Sequence, residues 1–163
     1  MLRTRKVLNL KQIDSILNHE VFEAVCKDLA EEIDANLVSI WFCAREGTGI
    51  ECQCAYDVVS GEFTHGQFLS KNEHPIYIQN LIEYNYISAP DVRTHPATKE
   101  LIEDYFEPNG ILSLLDFILH KDHKPVGVIC CENRRVHRNW SEDDKSYLRK
   151  IAALVSHRFR FSD

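Results

Sequence analysis

No segment of the sequence stays apolar for the roughly 18 residues that a membrane helix requires. The basic opening, MLRTRKVLNL, also lacks the apolar core and small-residue cleavage site of a secretory signal. Membrane insertion is therefore not expected, and a cytoplasmic location follows by default. There is no glycine-rich phosphate loop, no His-Glu-x-x-His pair and no serine nucleophile elbow, which removes three common signatures of catalysis. Neither Cys-x-x-Cys nor a Cys–His spacing pattern occurs, so a zinc site is not expected. The formal net charge is −6 and no extended basic stripe interleaved with aromatics runs along the chain, which argues against nucleic acid as a partner. The run Asn133-Arg134-Arg135-Val136-His137-Arg138 is too short to reverse that. Repeats, low-complexity tracts and interdomain linkers are likewise absent.

What remains is a 163-residue chain, 44% hydrophobic and 27% charged, with few glycines and prolines. That is the size and composition of one globular domain, taken as residues 1–163 with a short extension over residues 1–13. Leu17, Val21, Phe22, Val25, Cys26, Leu29 and Ile33 recur at helical spacing and predict an amphipathic helix over residues 14–35. Ser141-Glu142-Asp143-Asp144 resembles a capped helix start, and Tyr147, Leu148, Ile151, Ala152, Val155 and Phe159 continue it to the terminus. Between these helices five stretches read as strands: Leu37 to Ala44, Gly49 to Val59, Glu62 to Leu69, Ile111 to Leu119 and Val126 to Glu132. The turn residues between consecutive strands favour antiparallel neighbours.

Residues 71–109 interrupt this rhythm. They read as two short helices, Ile76 to Tyr84 and Ala97 to Phe106, each opened by a His-Pro pair, with an irregular piece from Tyr86 to Thr94 between them. The fold class is α+β, a sheet flanked by terminal helices with a helical insertion between its third and fourth strands.

Several strings, in order, resemble those of a GAF domain, the small-molecule-binding sensor module of signalling proteins. They are Val38-Ser39-Ile40-Trp41, Cys54-Ala55-Tyr56-Asp57, Gly61-Glu62-Phe63-Thr64-His65-Gly66, Pro75-Ile76-Tyr77 and Ile87-Ser88-Ala89-Pro90-Asp91. They continue through Gly110 to Asp116, Val126 to Glu132 and Arg138-Asn139-Trp140-Ser141. The likeness spans nearly the whole chain and points to the bacterial branch found ahead of histidine kinases and diguanylate cyclases. It implies a central antiparallel sheet of five to six strands. The first and last helices would pack together on one face, and a ligand pocket would lie under the insertion on the other. It implies binding rather than catalysis, a homodimer through the terminal helices, and an output domain fused to this one. The Asn-Lys-Phe-Asp-Glu motif of cyclic-nucleotide-binding relatives is absent, as are strings associated with bilin attachment. Eight histidines leave haem open without nominating an axial ligand, so the ligand's identity and any cofactor stay unnamed.

Within that frame Asp116 is the residue of interest, because a carboxylate in the run ILSLLDFIL is costly unless paired or hydrogen-bonded. Alternation puts it on one side with Leu112, Leu114 and Ile118, and facing the insertion it would meet either a ligand N–H or an internal partner such as Arg93. Asp91 and Arg93 lie in the irregular piece where recognition residues gather, and His74 stands at a helix start that favours anions. Tyr77, Tyr86 and Trp41 can line an aromatic cleft. With Ser113 from the same strand as Asp116, these eight residues form the candidate ligand-binding set. Cysteines offer a second reading, a thiol redox enzyme or sensor. Cys52 and Cys54 fall on one side of a strand and Cys130 and Cys131 are adjacent, so a close approach of the two pairs would make a thiol cluster, but no basic neighbour along these strands lowers a thiol pKa and buried packing is favoured. A GAF-like sulfoxide reductase branch uses cysteines in a glycine-rich pattern not visible here. The third reading is a ligand-free dimerisation module.

Overall fold

The structure is a computed structural model and describes residues 10–158, with side chains from residue 18 onward. The chain opens with α1 (Leu10–Glu32), so the extension expected over residues 1–13 overlaps the helix, and residues 1–9 and Phe159 lie outside the described residues. After α1 the chain turns through Asp34 at φ 57°, a left-handed conformation that a short polar side chain tolerates. It then forms β1 (Leu37–Ala44) and β2 (Gly49–Asp57), an antiparallel hairpin.

Glu62 to Leu69 is not one strand but two, β3 (Phe63–Thr64) and β4 (Phe68–Ser70), both paired with β2. Gly66, at φ 95°, turns the chain between them. The insertion follows with α2 (Pro75–Tyr84) and β5 (Tyr86–Ala89). The Tyr86 to Thr94 piece was expected to be irregular throughout, yet its first four residues pair with the next strand and bury Ile87 and Ala89. The predicted helix from Ala97 to Phe106 is instead a 3₁₀ turn (Lys99–Leu101), a π turn (Ile102–Phe106) and a short α3 (Glu107–Asn109). The long strands β6 (Ile111–Lys121) and β7 (Lys124–Arg134) run past their predicted ends. Their two-residue turn holds Asp122 and His123 at φ 53° and 65°, the hairpin geometry that matches strand twist. The last element is α4 (Glu142–Ser156), opened by a capping box in which Ser141 and Asp144 bond each other's backbone.

The sheet has seven strands rather than five or six, in the order β3-β2-β1-β7-β6-β5, with β4 also beside β2. Helix α1 packs on β1 and β2, α4 on β6 and β7, and the two helices touch on the same face. Leu29, Ile33, Ile40, Leu115, Ile129 and Leu148 form the core between them. Each fully buried side chain of this size contributes roughly 1.5–3 kcal/mol. Tyr147 of α4 donates a hydrogen bond to the Asp28 carboxylate of α1. On the opposite face the insertion covers a second apolar cluster that includes Leu81, Ile87, Leu101, Phe106, Leu114 and Ile118.

Two bulges decide what faces where. Ile40 pairs with Cys54 but Trp41 with Cys52, so Gln53 is an extra residue and the alternation of β2 resets. Cys52 therefore joins the insertion side and Cys54 the helix side, correcting the expectation that they share a side. A bulge between Ile111 and Ser113 likewise makes Ile111, not Leu112, the residue that shares the insertion side with Leu114, Asp116 and Ile118. Among the described residues no helix is long and apolar enough to cross a membrane.

Candidate functional site

Antiparallel pairing sets Asp116 of β6 directly across from Cys130 of β7, with Glu132 two residues further along β7 on the same side. Both carboxyls point at the insertion and are buried, Asp116 at 2% exposure and Glu132 at 3%. The insertion answers each with a phenol. Tyr77, in the first turn of α2, donates to Asp116 Oδ2 at 2.6 Å, and Tyr105, on the π turn, donates to Glu132 Oε1 at 2.9 Å. Asp116 Oδ1 has no hydrogen-bond partner. Single π turns recur at functional sites because the wider turn re-aims a side chain, and here the turn carries Tyr105 onto the sheet. These groups, with Trp41, line a cavity of about 30 Å³.

Burial governs the electrostatics. It lifts Asp116 from 3.8 to about 7 against the opposing hydrogen bonds of Tyr77 and Cys130. It lifts Glu132 from 4.5 to about 8, helped by the neighbouring Asp116 charge and opposed by Tyr105 and Arg134. Burial also keeps Tyr77 and Tyr105 far above the usual phenol range, so both remain donors. The arrangement can hold or release protons and accept hydrogen bonds. Among the described residues no three His, Cys, Asp or Glu groups are placed to hold a metal ion.

Trp41, Leu69 and Tyr105 are shared walls between this cavity and an open cleft of about 650 Å³ above the sheet. Among the described residues the cleft carries the carboxylates Asp57, Glu62, Glu73 and Asp104 and one permanent cation, Arg134, which is bonded to Asp57 at 2.9 and 3.2 Å. Burial alone would lift Asp57, but Arg134 and the amides of Val59 and Ser60 bring it below its ordinary value.

Of the eight residues expected from sequence, Asp116, Tyr77 and Trp41 meet in the cavity, and His74 lines the adjoining cleft with its Nδ1 3.1 Å from the Ser70 carbonyl oxygen. The helix start at His74 already has its anion, because Glu100 accepts from the Tyr77 backbone N–H at 2.7 Å. Arg93 does not reach Asp116. Its guanidinium is bonded to Asp91 at 2.9 and 3.0 Å, with His137 alongside, at an exposed loop. That partner holds Asp91 at about 2. Tyr86 stacks on Phe117, which packs against the terminal-helix core, so it lies on the other face. Ser113 is buried and donates to the Val136 carbonyl oxygen. Sequence reasoning missed Glu132, Tyr105 and Arg134. For Glu132 the signal was present, since it follows Val128 and Cys130 at strand alternation.

Five of the six cysteines are buried and Cys43 is half-buried. Burial lifts Cys52 to about 12 and Cys130 well above the usual range, while Cys54 alone is shifted down, by a hydrogen bond with Cys26 within the helix-side core.

The family model for the GAF domain matches residues 18–159. No curated protein matches the sequence. Solved structures share the fold at low identity. The blue-light-absorbing form of the Thermosynechococcus elongatus PixJ GAF domain is 12% identical with a TM-score of 0.75, covering 93% of this chain and 88% of that one. The GAF domain of an Acinetobacter phosphoenolpyruvate-protein phosphotransferase is 15% identical with a TM-score of 0.69, covering 93% of each. A GAF domain/HD domain protein from Geobacter sulfurreducens is 11% identical with a TM-score of 0.63, covering 86% of this chain and 90% of that one.

Proposed function

Because the chain belongs to the GAF family, we propose that it is a small-molecule-binding sensory domain of a signal-transduction protein, with its ligand in the cleft between the sheet and the 71–109 insertion. One observation carries this reading. The cleft continues into a cavity where two buried carboxyls on the sheet are held by hydroxyls from two separate pieces of the insertion. A ligand that competes for either carboxyl changes how the insertion sits. The cleft volume, about 650 Å³, falls within the range usual for small-molecule sites.

Strand β6 supplies the route outward. It presents Asp116 to the cavity and Leu115 and Leu119 to the core beneath the terminal helices. Transmission requires that the ligand bind two helix arrangements with different affinity. In this reading residues 1–163 act as one domain, dimerise through α1 and α4, and control an output domain such as a histidine kinase or diguanylate cyclase in the cytoplasm. The module binds and does not catalyse. Burial of five thiols gives the redox alternative little support.

Native mass spectrometry of the purified protein, followed by thermal-shift screening of a metabolite collection, tests the proposal. A co-purified small molecule, or a compound that raises the melting temperature in wild type and less so in Trp41→Ala, is the expected result. Protein that stays bare and unmoved across the collection overturns it.

A further inference from the structure

We infer that the site takes a primary amine, its ammonium head seated in the inner cavity between Asp116 and Glu132 and its body lying in the outer cleft. This rests on the reading of the cleft as the ligand site and specifies the chemistry that it recognises. Two buried carboxyls face one cavity, and the protein answers them with neutral donors alone, the Tyr77 phenol and Cys130 thiol at Asp116 and the Tyr105 phenol at Glu132. Asp116 Oδ1, fully buried and lining that cavity, accepts nothing. A buried acceptor left in this state is costly, and an N–H donor recovers that cost.

Charge selects a cation. Among the described residues the outer cleft is lined by four carboxylates and one guanidinium, which serves Asp57, so Glu62, Glu73 and Asp104 repel an approaching anion and draw in a cation. Two of the three walls at the junction are aromatic, Trp41 and Tyr105 beside Leu69, and ring faces attract an ammonium. Size selects the head group. A cavity of about 30 Å³ admits one or two water-sized groups, which suits –NH₃⁺ and excludes a guanidinium or a trimethylammonium.

Protons follow the ligand. The groups facing the two carboxyls are Tyr77 and Tyr105 from the insertion and Cys130 from β7, with Arg134 beyond Glu132, and none of them brings a second positive charge into the cavity. Burial raises both carboxyls toward neutral pH, so below that range an arriving ammonium expels a proton to solvent as the carboxylate forms. Affinity therefore rises between pH 6 and 8.

The test uses three matched sets of small aromatic and aliphatic probes: primary amines such as 2-phenylethylamine, their alcohol and trimethylammonium counterparts, and the corresponding carboxylates. Calorimetry at pH 6.5 and pH 8 is expected to detect the amines only, with an enthalpy at pH 6.5 that varies with the ionisation enthalpy of the buffer because a proton is released, and a smaller variation at pH 8. Asp116→Asn and Glu132→Gln, each checked for folding by circular dichroism, should each weaken amine binding at least about tenfold, the loss expected for one charged hydrogen bond. Equal binding of alcohols, trimethylammonium compounds or carboxylates overturns the amine assignment and leaves the sensory reading standing. Absence of binding by every set overturns the amine assignment, while the sensory reading falls only if the metabolite collection also leaves the protein unmoved. Amine binding without proton release, and indifferent to both substitutions, places the amine elsewhere and also overturns the assignment.

Discussion

A carboxyl that keeps its proton in the folded state, while the unfolded chain has lost it, opposes folding between the two pKa values. For Asp116 that window runs from 3.8 to about 7, and for Glu132 from 4.5 to about 8. Both contributions are intact below pH 4 and erode as pH rises, by up to roughly 1.4 kcal/mol per pH unit per group, levelling off above pH 8. Asp91, held at about 2 by Arg93, works the other way and withdraws stability only as pH falls through the acid range. Urea midpoints are expected to drop between pH 5.5 and 8, with Asp116→Asn and Glu132→Gln each flattening the slope. A midpoint that climbs over this interval contradicts the assignment. At the same scale Glu100→Ala strips the acceptor from the Tyr77 N–H and should cost about 1 kcal/mol, with faster amide exchange at Tyr77. Asp116 was legible from sequence because a charge inside an apolar strand demands a partner. The identity of that partner was not, because Tyr77 is 39 residues away and looked like one aromatic among several.

At the scale of elements, periodicity located α1, β1, β2, β6, β7 and α4, whose apolar faces are long enough to show a repeat. It failed where backbone geometry changes over a few residues. The π turn that aims Tyr105 has no sequence period of its own, and the bulge at Gln53 inverts the side on which Cys52 and Cys54 fall. Neither leaves a trace that alternation can register. Gly127 lets β7 lie directly against β1, since a Cβ there would stand 2.0 Å from the Trp41 carbonyl oxygen. Gly127→Ala must part the two central strands, and a loss of roughly 1–3 kcal/mol or more is expected, read as a lower melting temperature. An unchanged melting temperature would show that β1 and β7 do not approach as described.

For the molecule as a whole, the order of elements was readable because terminal helices, hairpins and insertion each leave a distinct pattern. Which side each strand presented was readable only where no bulge intervened. The helix pair is joined by the hydrogen bond between Tyr147 and Asp28, and Tyr147→Phe should cost about 0.5–1.5 kcal/mol in chemical denaturation. It should also raise hydrogen exchange in α1 and α4 while leaving the insertion unchanged. The distribution of sulfur has a practical consequence of its own. Five thiols are sealed in the two cores and Cys43 alone is within partial reach of solvent, at the end of β1. A maleimide dye should therefore couple slowly with one equivalent in buffer and rapidly with six in denaturant. The native protein thus carries a single attachment point for a fluorophore, two residues along β1 from the cleft wall at Trp41, by which occupancy can be followed without engineering the chain.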